Sequence, residues 1–198
     1  KKRSKGLSDK SITLDVIRRG LTLFFLGLVY EGFFQFHFES LRIPSVLGRI
    51  GLAWMLAAIL YCHTGKKTQW GVAAGILIGY FLLLKLVVAP DAPAGADSLS
   101  KEGNVAFYID RLLLPDNIYK PGVYDPEGIL STIPAVVTAM LGMFTGRYVK
   151  ESPATGERKT LNMLAAAVVM AIVAVVWAHW FPVSKKLWTS TFVLACGA

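Results

Sequence analysis

Residues 125–134, Asp-Pro-Glu-Gly-Ile-Leu-Ser-Thr-Ile-Pro, set two carboxylates, two hydroxyls and two prolines across the junction between a long polar loop and a strongly apolar run. Glu127 is the carboxylate there best suited to take up a proton, and Ser131 and Thr132 can line a cavity wall. A second group lies at Ser184, Lys185, Lys186, Leu187, Trp188 and Thr189. Two ammonium charges beside a helix N-terminus suit a phosphate, sulfate or carboxylate; the plainer reading is contact with lipid headgroups. Glu31 and Arg49 lie within apolar runs, where an unpaired charge costs roughly a few kcal/mol. They read either as an ion pair locking two helices or as the lining of a substrate cavity.

The helix-start signals around 125–134 place Asp125 at an N-cap, Pro126 at the first helical position and Glu127 in the first turn, facing the positive end of the helix dipole. On that reading Pro134 lies about two turns inside the helix, removes a backbone bond to Leu130 and kinks the chain.

Bulk composition fixes the setting of these groups. Of the 198 residues 54% are hydrophobic and 17% charged, mean hydropathy is +0.51 and net charge is +8, outside the range of soluble domains. Apolar runs at 21–36, 46–61, 70–89, 129–149 and 161–181 approach the roughly 20 residues needed to cross a bilayer. A sixth begins at Leu187 and stops at Ala198, about half a bilayer long. The expected architecture is all-α: a polytopic membrane helix bundle with about five full transmembrane helices and the start of a sixth, in one transmembrane unit over 1–198. The chain reads as the middle piece of a larger protein.

Loop charge orients the bundle. Lys1, Lys2, Arg3, Lys5, Lys10, Arg18 and Arg19 precede the first run, Lys66 and Lys67 follow the second, and Arg147, Lys150, Arg158 and Lys159 follow the fourth. All three loops fall on the cytoplasmic side by positive-inside bias, with the acidic 90–125 loop outside. The same bias accounts for the basic charge without a nucleic acid. Trp70 falls at the inner boundary, and Trp177, Trp180 and Trp188 at the outer one.

Within the outer loop, 90–100 is a polar connector, whereas 103–115 carries Val105, Tyr108, Ile109 and Leu112 at the spacing of one helical face. A short amphipathic helix is expected there, with Asp110 and Arg111 either a solvated charge pair or binding groups. Lys85 can snorkel to the interface. Gly142 and Gly146 form a Gly-x-x-x-Gly pair that permits close helix approach. The run 161–181 holds no embedded charge and reads as a packing or lipid-facing helix. His179 sits between tryptophans as an interfacial residue, and Cys62 and Cys196 read as reduced packing residues with no metal-ligand spacing.

Arg42-Ile43-Pro44-Ser45 through Leu52, then Gly103-Asn104 with Asp110-Arg111, then 125–134 and Lys185-Lys186-Leu187-Trp188-Thr189-Ser190, resemble in order and type the heparan-alpha-glucosaminide N-acetyltransferase family and its bacterial relatives. The resemblance implies a membrane enzyme that takes acetyl from cytoplasmic acetyl-CoA to the amine of a terminal glucosamine on the outer side. It further implies a cytoplasmic-membrane location, a sugar acceptor, no metal, and compatibility with a homodimer. The family's catalytic histidine lies in an earlier helical region with no counterpart here, so that role does not pass to His37, His63 or His179. Acyl transfer to an amine needs a base, oxyanion donors and positive charge. On this reading Arg49, Asn104, Asp110, Arg111 and Asp125 bind the acceptor or organise the outer mouth, Lys185, Lys186 and Trp188 border it, and Glu127 is the carboxylate for proton transfer. The alternative is a transporter or permease for an amino sugar or oligosaccharide, since intramembrane Glu31 and Arg49 also suit an alternating cavity.

Overall fold

A computed structural model of the chain describes residues 8–38, 41–114, 117–119 and 123–198. Lys1, Lys2, Arg3 and Lys5 of the basic opening segment, and Pro115, Asp116 and Lys120 of the outer loop, lie outside the described residues. The fold is all-helical: α1 (Asp9–Tyr30), a 3₁₀ turn (Phe33–Gln35), α2 (Val46–His63), α3 (Lys66–Leu86), α4 (Val105–Leu113), α5 (Thr132–Glu151), α6 (Gly156–Trp177) and α7 (Ser190–Gly197). An isolated bridge, Val88 to Asn104, closes the base of the loop between α3 and α4.

Among the described residues three helices, α2, α3 and α6, are long and apolar enough to cross a membrane, and the chain is an integral membrane protein. This is fewer than the five expected. α1 begins at Asp9 rather than near Leu21 and so includes Lys10, Asp15, Arg18 and Arg19; α5 is diluted by Thr132, Pro134, Thr138, Thr145 and Arg147.

α1 and α2 run antiparallel in intimate contact. Thr13 Oγ1 lies 2.8 Å from His63 Nε2 at one end. Midway, a Cβ on Gly51 would stand 2.6 Å from the Gly20 carbonyl oxygen and 2.8 Å from Leu23 Cβ, and one on Gly20 would stand 2.6 Å from Met55 Cβ. At the other end Gly27 lies against Ser45 and Gly48, and Ser45 Oγ caps α2 by accepting from Gly48 N at 3.0 Å. The glycines that allow close approach are therefore these. Gly142 and Gly146, expected to serve that purpose, have no neighbour within 4 Å of where a Cβ would sit.

The core lies among α2, α3, α5 and α7, with Ala57, Leu77, Val137, Met140 and Val193 buried together. A second cluster joins Tyr80 and Leu84 to Phe107, Tyr124, Phe181 and Leu187, and seats the outer loop on the bundle. α6 buries only Ala174, as its lipid-facing reading anticipates. At the end of the bundle away from the 90–125 loop, Arg147 donates to Gln69 Oε1 at 2.8 Å and stacks on Tyr61, while Gln69 Nε2 donates to the Tyr61 and Thr64 carbonyls, binding α5 to the turn between α2 and α3.

The glycine contacts set a stability test. Gly51→Ala is expected to lower unfolding stability by about 1–3 kcal/mol, because backbone and a Cβ meet the new methyl. Gly142→Ala is expected to be neutral or stabilising by up to about 1 kcal/mol, since it gains helix propensity in open space. Denaturation of both variants in detergent, followed by intrinsic fluorescence, measures the contrast.

Candidate functional site

Residues 123–131 reach α5 by a route different from the one their sequence suggests. α5 starts at Thr132 after Ser131, so Pro134 occupies the first turn, where its missing N–H has no intrahelical partner in any case. No interior kink results. Asp125 is fully buried and caps no helix: Oδ1 accepts from Glu127 N and Oδ2 from Tyr119 N, each at 2.7 Å. It folds the loop into a tight turn that presents Glu127 and Gly128.

Arg42 is the group that gathers this turn. Its Nε donates to Asp125 Oδ2 at 2.9 Å and its Nη2 to Asp125 Oδ1 at 2.8 Å, a bidentate pair. Nη2 also pairs with Glu127, and Nη1 donates to Glu31 Oε1 at 3.3 Å. Tyr119 lies under the guanidinium, 5.2 Å from ring centre to Cζ. Burial alone would lower the Arg42 pKa, but hydrogen bonds and charge from Asp125, then Glu127, outweigh it and raise the pKa above its ordinary value. The expected Glu31–Arg49 pair is thus replaced: Glu31, at the end of α1, pairs with Arg42.

Arg49 enters the same cluster from the first turn of α2. It is 4% exposed, its Nη2 donates to the Pro126 carbonyl at 2.7 Å and to Ser131 Oγ at 2.5 Å, and its guanidinium lies 4.7 Å from the centre of the Trp188 ring. Nε and Nη1 are buried and meet no protein acceptor. Glu127, Asp125 and Asp110 act on Arg49 through their charge without bonding to it.

Asp110, on α4, is 1% exposed and turned inward. Its Oδ1 accepts from Ile129 N at 2.8 Å, and its carboxylate covers the α-carbon of Gly128 so closely that a Cβ there would overlap it. Burial pushes its pKa up to about 7, reinforced by the charge of Asp125; the Ile129 N–H, Arg49 and Arg111 oppose the shift. The buried face of α4 is consequently Val105, Ala106, Phe107 and Asp110, and Leu112, which shares a helical face with Val105 by spacing, is exposed.

The remaining predicted residues divide in their placement. Asn104 is wholly buried as the N-cap of α4, accepting from Ala106 N at 3.0 Å and donating to the Ser98 carbonyl at 2.9 Å. Arg111 forks onto Asp91 and donates to the Val123 carbonyl at 2.9 Å, closing the outer loop on itself. Lys185 and Lys186 are exposed in a turn before α7. They do not stand at its N-terminus, which is buried and capped by Thr189 Oγ1 accepting from Phe192 N. Lys186 and Lys101 each approach the Tyr124 ring, at 5.4 and 5.5 Å. Trp188 adopts a left-handed backbone, φ 50°, unfavourable for a bulky residue, and is held by Nε1 donating to Thr138 Oγ1 at 3.1 Å and by Arg49 across its face.

The structure therefore brings Arg49, Asp110, Asp125, Glu127 and Trp188 together, adds Arg42 and Gly128, whose roles the sequence reading missed, and gives Glu31 Arg42 in place of Arg49 as its partner. Four carboxylates face two guanidiniums, so the cluster stays net negative whether or not Asp110 holds a proton. It is suited to a cationic ligand that also carries a hydrogen-bond acceptor for Arg49. No grouping of three or more metal-ligating side chains occurs among the described residues.

No protein-family model matches the chain. The chain is similar to heparan-alpha-glucosaminide N-acetyltransferase of Homo sapiens, 28% identical over 203 residues covering 78% of this chain and 31% of that protein. The same enzyme of Mus musculus is 25% identical over 252 residues, 98% of this chain and 38% of its own length. The chain thus spans about a third of the length of these curated relatives and is a partial relative of them. The resemblance read from its motifs is borne out.

Asp110 generates a pH test with a definite sign. A carboxyl whose folded pKa is raised binds more protons folded than unfolded between the two values, so its contribution to stability is full below about pH 4 and is lost as pH rises to about 7. Asp110→Asn keeps an acceptor for Ile129 N and removes the titration. Its unfolding free energy is expected to vary less from pH 4 to 7 than that of the native protein, by on the order of a few kcal/mol. Chemical denaturation at a series of pH values measures it. Gly128→Ala is expected to expel the Asp110 carboxylate and abolish the same slope.

Proposed function

We propose that the outer cluster is the acceptor side of a membrane acetyltransferase, which moves an acetyl group from acetyl-CoA, supplied from the cytoplasm, to the amine of a glucosamine-type sugar on the outer side. The N-terminal segment of this chain is then cytoplasmic. The observation that carries the reading is the pairing of surplus carboxylates with a buried Arg49 whose Nε and Nη1 lack protein acceptors. The names of the two relatives support acetyl transfer as the reaction class.

In this reading the sugar arrives as an ammonium ion, drawn by Glu127, Asp125 and Asp110. Glu127, held by Arg42 and partly accessible, takes the ammonium proton and frees the nitrogen lone pair. The nitrogen forms a bond to the thioester carbonyl carbon, the carbonyl electrons move onto oxygen, and the unpartnered N–H groups of Arg49 donate to that oxyanion. Collapse breaks the carbon–sulfur bond, and the departing thiolate takes up the second proton, which the nitrogen sheds as it becomes an amide. Trp188 holds the Arg49 plane in place from the opposite face. Asp110, poised near neutrality and in the same field, buffers the cluster against the charge change.

Glu127→Gln retains a hydrogen bond to Arg42 while removing the base. In the purified protein, acetyl transfer from acetyl-CoA to glucosamine is expected to fall about 100-fold or more, with an unchanged melting transition. Unchanged transfer by a folded variant removes Glu127 from the mechanism. Liposome uptake of the sugar without acetylation by the native protein overturns the enzyme reading in favour of a transporter.

A further inference from the structure

Arg18 and Arg19 lie outside the outer cluster, and the register of α1 on α2 fixes their depth. Gly20 faces Gly51 and Met55, so the two arginines stand beside the centre of α2, whose midpoint falls between Trp54 and Met55. α2 is long and apolar enough to cross a membrane, which puts both guanidiniums well below the headgroup level rather than in a cytoplasmic loop. Charge at that depth persists when it faces a polar cavity or a counter-ion.

They face a cavity. A groove of about 680 Å³ between α1 and α2 is lined by Arg18, Arg19, Thr22, Leu23, Ile50 and Trp54, with Asp15 also on its wall. Its size is that of a small-molecule site. Two guanidiniums against one carboxylate leave the groove net positive, and planar guanidinium forks match phosphate oxygens. Leu23, Ile50 and Trp54 supply an apolar wall, and the exposed side chains of Leu21 and Ile50 continue it outside. A simple inorganic anion would use half of this lining; an amphiphile uses both halves.

We propose that this groove binds a phosphate ester with an apolar portion, its phosphate between Arg18 and Arg19 and its apolar part along Trp54 and Ile50. An anionic phospholipid has that chemistry, and its binding here is independent of the acetyl-transfer reading, on which loss of transfer in Glu127→Gln bears alone.

The purified protein is titrated separately with phosphatidylglycerol and with coenzyme A, following a fluorescence change that Trp54→Phe lacks. The phosphatidylglycerol titration is expected to saturate, and its apparent affinity to fall tenfold or more in Arg18→Gln/Arg19→Gln and in Ile50→Trp, which fills the groove and keeps its charges. Saturation by coenzyme A and not by phosphatidylglycerol overturns the lipid assignment. No saturation by phosphatidylglycerol, or affinity unchanged in folded Ile50→Trp, overturns the site; that second variant keeps the test decisive if the double variant does not fold.

Discussion

The bidentate pair between Arg42 and the fully buried Asp125 is the contact on which the candidate site depends. A buried carboxylate is tolerated when its lone pairs are filled, and Asp125 fills them with two guanidinium N–H groups and two backbone N–H groups. Removing one member of such a pair strands the other, at about 3–5 kcal/mol. Because Arg42 also takes Glu31 and Glu127, one side chain ties the end of α1, the loop before α5 and the approach to α2 at a single level. The turn that offers Glu127 exists because Asp125 is held in this way.

Around that hub the helices are placed by contacts of two kinds. Glycines let α1 lie directly on α2, which sets the positions of Glu31 and Arg49 at one end and of Arg18 and Arg19 midway. On the other flank, Tyr80 donates to the Leu187 carbonyl at 2.6 Å and Ser190 to the Leu77 carbonyl at 2.6 Å, fastening the turn before α7 to α3. That fastening brings Trp188 against Arg49 despite its unfavourable backbone angle. Arg49 then stands between an aromatic wall and a set of carboxylates, desolvated and only partly hydrogen-bonded, the condition in which an N–H group interacts most strongly with an incoming acceptor.

Much of this was legible in the residues. Hydropathy gave an all-helical membrane protein, and the ordered motifs gave the family resemblance. Spacing located α4, and the nearness of Arg49, Asp110 and Glu127 followed from the alternation of apolar runs and loops. The Arg42 hub was not legible, because it joins residues 83 apart and each partner has a local explanation of its own: Asp125 reads as a helix cap, Glu127 as a first-turn acid. The Gly128 contact escaped for a related reason, since a glycine chosen to admit a carboxylate from another helix looks like any turn glycine. Gly142 and Gly146 misled because spacing alone says nothing of what stands opposite. α1 was displaced because its polar first half is invisible to a hydropathy window, although Ser8 caps it by accepting from Ser11 N.

The central claim is that the outer cluster recognises an amine as a cation. Titration calorimetry of glucosamine and of glucose, which differ at the amine, tests it most directly at pH 6, where the sugar amine is charged. Binding of glucosamine at least tenfold tighter than glucose, with the preference lost in Glu127→Gln, is the expected result. Equal binding of the two sugars to the native protein would contradict the account.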